Sequence, residues 1–156
     1  MFYPIRLLTE GPTHKAAQDK AFTYADELVE KGEFEYYDAT TVRTYKLASK
    51  LGKDAVAEAL ARNREEITHA IQVVRLMLSD FTDEQIYQDQ FDLPDGSAAG
   101  YYASRYQFAM VGGAGNHCYL YGDNGVWGGK IENDRQYDEA IAEKDNLWVT
   151  VMSFHN

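Results

Sequence analysis

Leu76–Ser104, LMLSDFTDEQIYQDQFDLPDGSAAGYYAS, divides the chain into two kinds of sequence. Before it, apolar residues recur at helical spacings; after it they alternate. The stretch carries six acids, Asp80, Asp83, Glu84, Asp89, Asp92 and Asp95, and no lysine or arginine between the flanking Arg75 and Arg105. Thr82-Asp83-Glu84-Gln85 fits a capping box, in which the threonine hydroxyl meets the Gln85 amide and the glutamine side chain reaches back. It predicts a long helix ending near Asp80 or Phe81 and a short one over 83–90. Leu93-Pro94-Asp95-Gly96 is turn chemistry, with proline pre-set for the second position and glycine closing the turn.

On the N-terminal side, the long helix is expected from near Asp54, with Val56, Leu60, Ile67, Ile71, Val74 and Leu78 on one face and Asn63 and Arg64 interrupting the stripe. At 1.5 Å per residue it would span roughly 38 Å and form the spine of the core. A helical pattern before it, capped by Asp38, Thr40 or Thr41, holds Val42, Tyr45, Leu47, Ala48 and Leu51 and ends at Gly52. The first helix, capped by Thr13, lines up Ala17, Ala21, Tyr24 and Leu28 and stops at Gly32. Glu33–Asp38 reads as a short strand or an extended connection. Phe2–Leu8 reads as a strand that Pro4 confines to an edge or a strand start.

On the C-terminal side the period becomes two. Tyr106, Phe108 and Met110 alternate with Arg105, Gln107, Ala109 and Val111. Residues 118–121 and 126–131 read as the arms of a hairpin around Gly122-Asp123-Asn124-Gly125, where Asn-Gly is a strong turn signal. Asn133 or Asp134 caps a helix with Tyr137, Ala140 and Ile141 inward, and 147–154 alternates again. These elements predict an α+β fold in a single domain, 1–156. It would hold a small antiparallel sheet of about four strands, mostly C-terminal, packed on a helical layer from the N-terminal half.

A formal charge of −10 disfavours phosphate backbones and anionic lipid and favours basic partners. Residues 53–100 hold 4 basic and 10 acidic side chains, net −6, so over half the excess lies in the middle third. Direct nucleic-acid binding and membrane binding are not expected. Cys118 is the one cysteine, and no run approaches the ~18 apolar residues of a membrane span. Met1–Thr9 is too short for a secretory signal. Together these predict a soluble, cytoplasmic protein without disulfide, cofactor or metal.

Several constellations fail on their own chemistry. Gly112-Gly113-Ala114-Gly115 follows a strand, but no helix N-terminus comes next to meet a phosphate. His117 and Cys118 are neighbours on a strand and face opposite sides, so they form no nucleophile–base pair. Asp89, Asp92 and Asp95 lack the alternate-position spacing of a calcium loop, and residue 100 is glycine where a bidentate glutamate is needed. Thr41–Leu60 has the spacing of a helix-turn-helix, but Asp54 and Glu58 stand where base contacts would be made.

What remains is the acidic stretch, with carboxylates substituting for phosphates spaced about 3.4 Å apart along each strand. The partner-binding residues expected on this reading are Asp80, Asp83, Glu84, Tyr87, Asp89, Asp92 and Asp95. Phe91, Tyr101 and Tyr102 would add aromatic anchors. The function expected is that of an acidic module that inhibits or occupies a basic, nucleic-acid-handling protein, the logic used by small phage anti-restriction and anti-CRISPR proteins. An alternative is a small enzyme acting on a nucleotide or another small anion. His117 would be its general base, Arg105 its anion holder, and Asn116, Tyr119, Asp123 and Trp127 its walls. A third is an assembly subunit with exposed tyrosines at its interface.

Overall fold

The computed structural model describes residues 1–87, 118–125 and 129–156. The chain divides into two compact units, Met1–Asn63 with Cys118–Asn156, and Arg64–His117. The fold is α+β. In chain order the described elements are β1 (Phe2–Glu10), α1 (His14–Glu30), β2 (Tyr36–Lys46), α2 (Lys50–Asp80), α3 (Asp83–Tyr87), β3 (Leu120–Gly125), α4 (Asp134–Ile141) and β4 (Leu147–His155). The expected strand over 105–111 and the turn at 93–96 lie outside the described residues.

The sheet has the order β2-β4-β1-β3. β4 runs antiparallel to both its neighbours, and β3 runs parallel to β1. The sheet is therefore mixed rather than antiparallel, and β1 and β2 bring half of it from the N-terminal part of the chain. The helices are interleaved with the strands instead of preceding them.

β1 buries every residue from Ile5 to Thr9, as a strand covered on both faces must. Successive side chains point to opposite faces. Thr9 Oγ1 donates to the Ala17 carbonyl of α1 at 3.1 Å, whereas Arg6 pairs with Glu58 of α2 at 2.7 Å. The two helices thus cover opposite faces of the sheet. Pro4 lies opposite β4 alone, because β3 joins β1 only from Arg6 onward, so its missing N–H falls at the strand start. On the α1 face, the Thr44 and Thr150 hydroxyls meet at 2.9 Å and Gln18 Nε2 donates to Thr44 Oγ1 at 3.2 Å. The N-cap expected of Thr13 is present, its hydroxyl accepting from Ala16 N at 3.1 Å, and Gly32 takes its left-handed φ of 75° just beyond α1.

The helix expected over 38–51 is instead the strand β2. Thr40, Thr41, Val42 and Thr44 are β-branched and lose χ1 freedom in a helix, while β4 supplies a full ladder for 43–46. Asp38 does cap backbone, but at a bulge. The β2–β4 register breaks between Asp38 and Arg43, and the Asp38 carboxylate accepts from Thr40 N at 2.8 Å and Thr40 Oγ1 at 2.6 Å. The Thr40 bonds hold that carboxyl below its ordinary range.

α2 starts at Lys50, ahead of the expected Asp54, and Ser49 is its cap, Oγ accepting from Gly52 N at 3.1 Å. Gly52 is therefore inside the first turn and not a stop. Its reason is a close approach: a Cβ there would lie 2.1 Å from the Lys46 carbonyl oxygen. In the first unit α2 buries Ala55, Val56, Ala59 and Asn63. In the second it buries Ala70 and Met77, while Leu78, expected inward, is 59% exposed. The buried stripe runs through alanines, which weigh little in a periodicity count.

The expected 118–131 hairpin is only partly present. Tyr121 bridges Lys130 antiparallel, and Ile131 N donates to the Leu120 carbonyl at 2.9 Å. Gly122–Gly125 do not turn, however; they continue β3, with Gly122 paired to Leu8. Asn63 fixes this return. Its Oδ1 accepts from Tyr119 N at 2.9 Å and its Nδ2 donates to the Ile131 carbonyl at 3.1 Å.

Candidate functional site

The acidic stretch begins as expected. α2 ends at Asp80, and the capping box at Thr82 is complete: Gln85 N donates to Thr82 Oγ1 at 3.2 Å and Thr82 N to Gln85 Oε1 at 2.9 Å. Asp80, Asp83 and Glu84 are all exposed. Asp83 and Glu84 sit in the first turn of α3, where the helix dipole favours them. Asp80 has no such reason, because it closes a helix whose last turn holds no basic residue. Leu76 precedes it by one turn and is 60% exposed. Tyr87 is the last residue of α3; Asp89, Asp92 and Asp95 lie outside the described residues, as do Phe91, Tyr101 and Tyr102.

Of the six residues expected in an enzyme pocket, Arg105, Asn116, His117 and Trp127 lie outside the described residues. Tyr119 is buried, with the Arg62 guanidinium 5.4 Å from its ring centroid. Asp123 is exposed on β3. Cys118 is buried, its Sγ donating to the Leu120 carbonyl at 3.0 Å, and burial pushes the thiol up to about 11. At neutral pH it is a protonated core residue, not a nucleophile. The Gly112–Gly115 loop also lies outside the described residues.

A second concavity was not expected from the sequence. The β2–α2 connection and the α4–β4 turn enclose a groove of about 450 Å³ within the first unit. Its base is fixed by Leu47 N donating to the Leu147 carbonyl at 2.9 Å. Leu47, Ile141, Leu147 and the half-buried Tyr137 give it an apolar floor, and burial raises the Tyr137 hydroxyl above its ordinary range. Trp148 braces the wall, its Nε1 donating to the Gly11 carbonyl at 2.9 Å. Three basic residues, Lys46, Lys53 and Lys144, are among those that line it, against one acidic residue, Asp145.

These lysines share a property. The chain has eight, and Lys15, Lys31, Lys50 and Lys130 pair with carboxylates while Lys20 donates to the Glu10 carbonyl. Among the described residues, Lys46, Lys53 and Lys144 make neither kind of contact; Lys46 lies 5.7 Å from the Trp148 ring centroid. No signal in the sequence places them together, because they come from three separate elements. Among the described residues no cluster of three metal-ligating side chains occurs, and no helix is long and apolar enough to cross a membrane. Compared with family models, curated proteins and solved structures, the chain matches none.

Proposed function

We propose that this protein is a cytoplasmic binding module whose acidic stretch occupies a basic surface of a nucleic-acid-handling protein. The observation that carries the reading is the end of α2, where Asp80 stands unfavourably at a helix C-terminus beside exposed Leu76. A residue placed against its local electrostatics reads as retained for something outside the fold. The carboxylates of Asp80, Asp83 and Glu84 would steer the encounter, and Leu76, one turn before Asp80 on the same helix face, would supply apolar area that charge alone does not. Occupation of a basic groove by such a surface would exclude the nucleic acid and so inhibit the partner.

The test is capture of partners from lysate at low and high salt by the intact protein and by a variant carrying Asp80→Asn, Asp83→Asn, Glu84→Gln and Asp89→Asn. A basic protein retained at low salt, released at high salt and lost with the variant supports the reading. Equal retention by both proteins refutes it.

A further inference from the structure

The groove between the β2–α2 connection and the α4–β4 turn is a site apart from the acidic stretch. We propose that it binds a small organic anion, a planar or apolar body carrying a phosphate or carboxylate. The body would lie against Leu47, Ile141, Leu147 and Tyr137, and the anionic group would meet Lys46, Lys53 and Lys144.

Three features converge on this. The volume of about 450 Å³ falls in the range of small-molecule sites, which are mostly apolar with a few convergent polar groups. In a chain of net charge −10, every lysine not engaged with a carboxylate or carbonyl borders this one concavity. Three like charges around an opening repel one another and gain only when an anion enters. The third feature is backbone. Among the described residues the only non-glycine residues with positive φ are Glu143 at 58° and Asn146 at 55°, and they flank Lys144 and Asp145 on the groove's rim. Such conformations persist where the surroundings enforce them and cluster at ligand sites.

Three carboxylates work against binding and define it further. Asp145 is on the rim, and Lys144 also borders a smaller cleft holding Glu10 and Asp123, with no ion pair joining them. The site therefore takes one compact anionic group rather than a polyanion, in keeping with the overall negative field. Lysines act as point charges and do not demand the planar geometry that arginine would, so phosphate and carboxylate are both admissible.

The experiment is titration of the ¹⁵N-labelled full chain with AMP and indole-3-acetate, with adenosine and indole as their uncharged counterparts and inorganic pyrophosphate as an anion without a body. Shifts confined to amides of Leu47, Ala48 and residues 144–148 locate the site. Removing three exposed charge contacts should weaken binding roughly tenfold, so Lys46→Gln, Lys53→Gln and Lys144→Gln together should cost that for the anionic probe that binds. Asp145→Asn should tighten it about twofold. These side chains make no ion pair, so the variants should melt as the parent does. Adenosine or indole binding as tightly as its anion overturns the proposal, as does undiminished binding by the triple variant. Absence of groove shifts with every probe at millimolar concentration also overturns it. Saturation by AMP alone assigns phosphate as the anionic group, and saturation by indole-3-acetate alone assigns carboxylate.

Discussion

Gly52→Ala sets two effects against each other. Helix propensity alone makes the substitution favourable, since alanine exceeds glycine in a helix interior by about 1 kcal/mol. The surroundings oppose it. The new Cβ would lie 2.1 Å from the Lys46 carbonyl oxygen, 2.9 Å from its carbon and 3.0 Å from Leu47 Cα, all backbone atoms. That carbonyl cannot swing away, because it accepts from both Ser49 N at 3.0 Å and Ser49 Oγ at 2.6 Å. Relief requires the start of α2 to retreat from the end of β2, which pulls on the Ser49 cap. Overpacking costs about 1–3 kcal/mol and a weakened cap about 1 more. After subtracting the propensity gain, the net loss is about 2 kcal/mol, or a fall in Tm of roughly 4–8 °C for a chain of this size. Circular dichroism melts against the parent measure it, with Ala57→Gly at an exposed position of the same helix as the control; that variant should lose about 1 kcal/mol from propensity alone. A Gly52→Ala protein that melts higher than the parent would refute the close approach. The retreat would also carry Lys53 away from the groove, so anion binding should weaken with stability.

Asn63→Leu keeps the number of side-chain heavy atoms but takes the Asn63 Oδ1 acceptor from Tyr119 N–H and removes one donor from the Ile131 carbonyl, which Cys118 Sγ still reaches at 3.4 Å. Removing one partner of a buried hydrogen bond costs about 1–3 kcal/mol, and urea denaturation should show a loss in that range; an unchanged midpoint would mean the latch is not formed. Glu132 is half-buried, and burial raises its carboxyl above the ordinary range, with Lys130 opposing. Because the folded state binds that proton more tightly than the unfolded one, stability falls as pH rises through the window between the ordinary and the raised value. Glu132→Gln should therefore melt higher than the parent at neutral pH, with the advantage vanishing below the ordinary carboxylate range. A difference that does not change with pH would place the effect elsewhere.

Local chemistry was legible in the sequence wherever a single residue type has one dominant use. Thr13, Asn133 and the Thr82–Gln85 box cap the helices they were expected to cap, and Gly32 ends α1. Reading failed where one residue has two uses. Asp38 and its threonines can cap a helix or a bulge, and only the β4 ladder decides between them. Gly52 looked like a helix stop, but its function is contact with a carbonyl six residues earlier, which no local pattern encodes. Asn63 looked like a break in an apolar stripe because its partners, Tyr119 and Ile131, lie far along the chain. The mixed sheet was missed for the same reason: β1 pairs with both β3 and β4, and a run buried on two faces does not announce its neighbours.

The charge distribution brings the two proposed sites into one argument. A net charge of −10 would by itself repel any anion, so an anion site on this chain needs a local inversion of sign. The groove supplies it by leaving three lysines without carboxylate partners, while four of the other five pair with acids, Lys15 with Asp19 and Lys50 with Asp54 on their own helices. The acidic stretch does the converse, concentrating six carboxylates in a run of sequence that holds no lysine or arginine. Each site is defined by where charge of one sign is gathered rather than by an unusual residue. Both should therefore be sensitive to salt, with exposed charge interactions decaying over about 8 Å at physiological ionic strength. If added salt weakened partner capture but left anion binding untouched, the groove's affinity would come from its apolar floor, and the lysines would be bystanders.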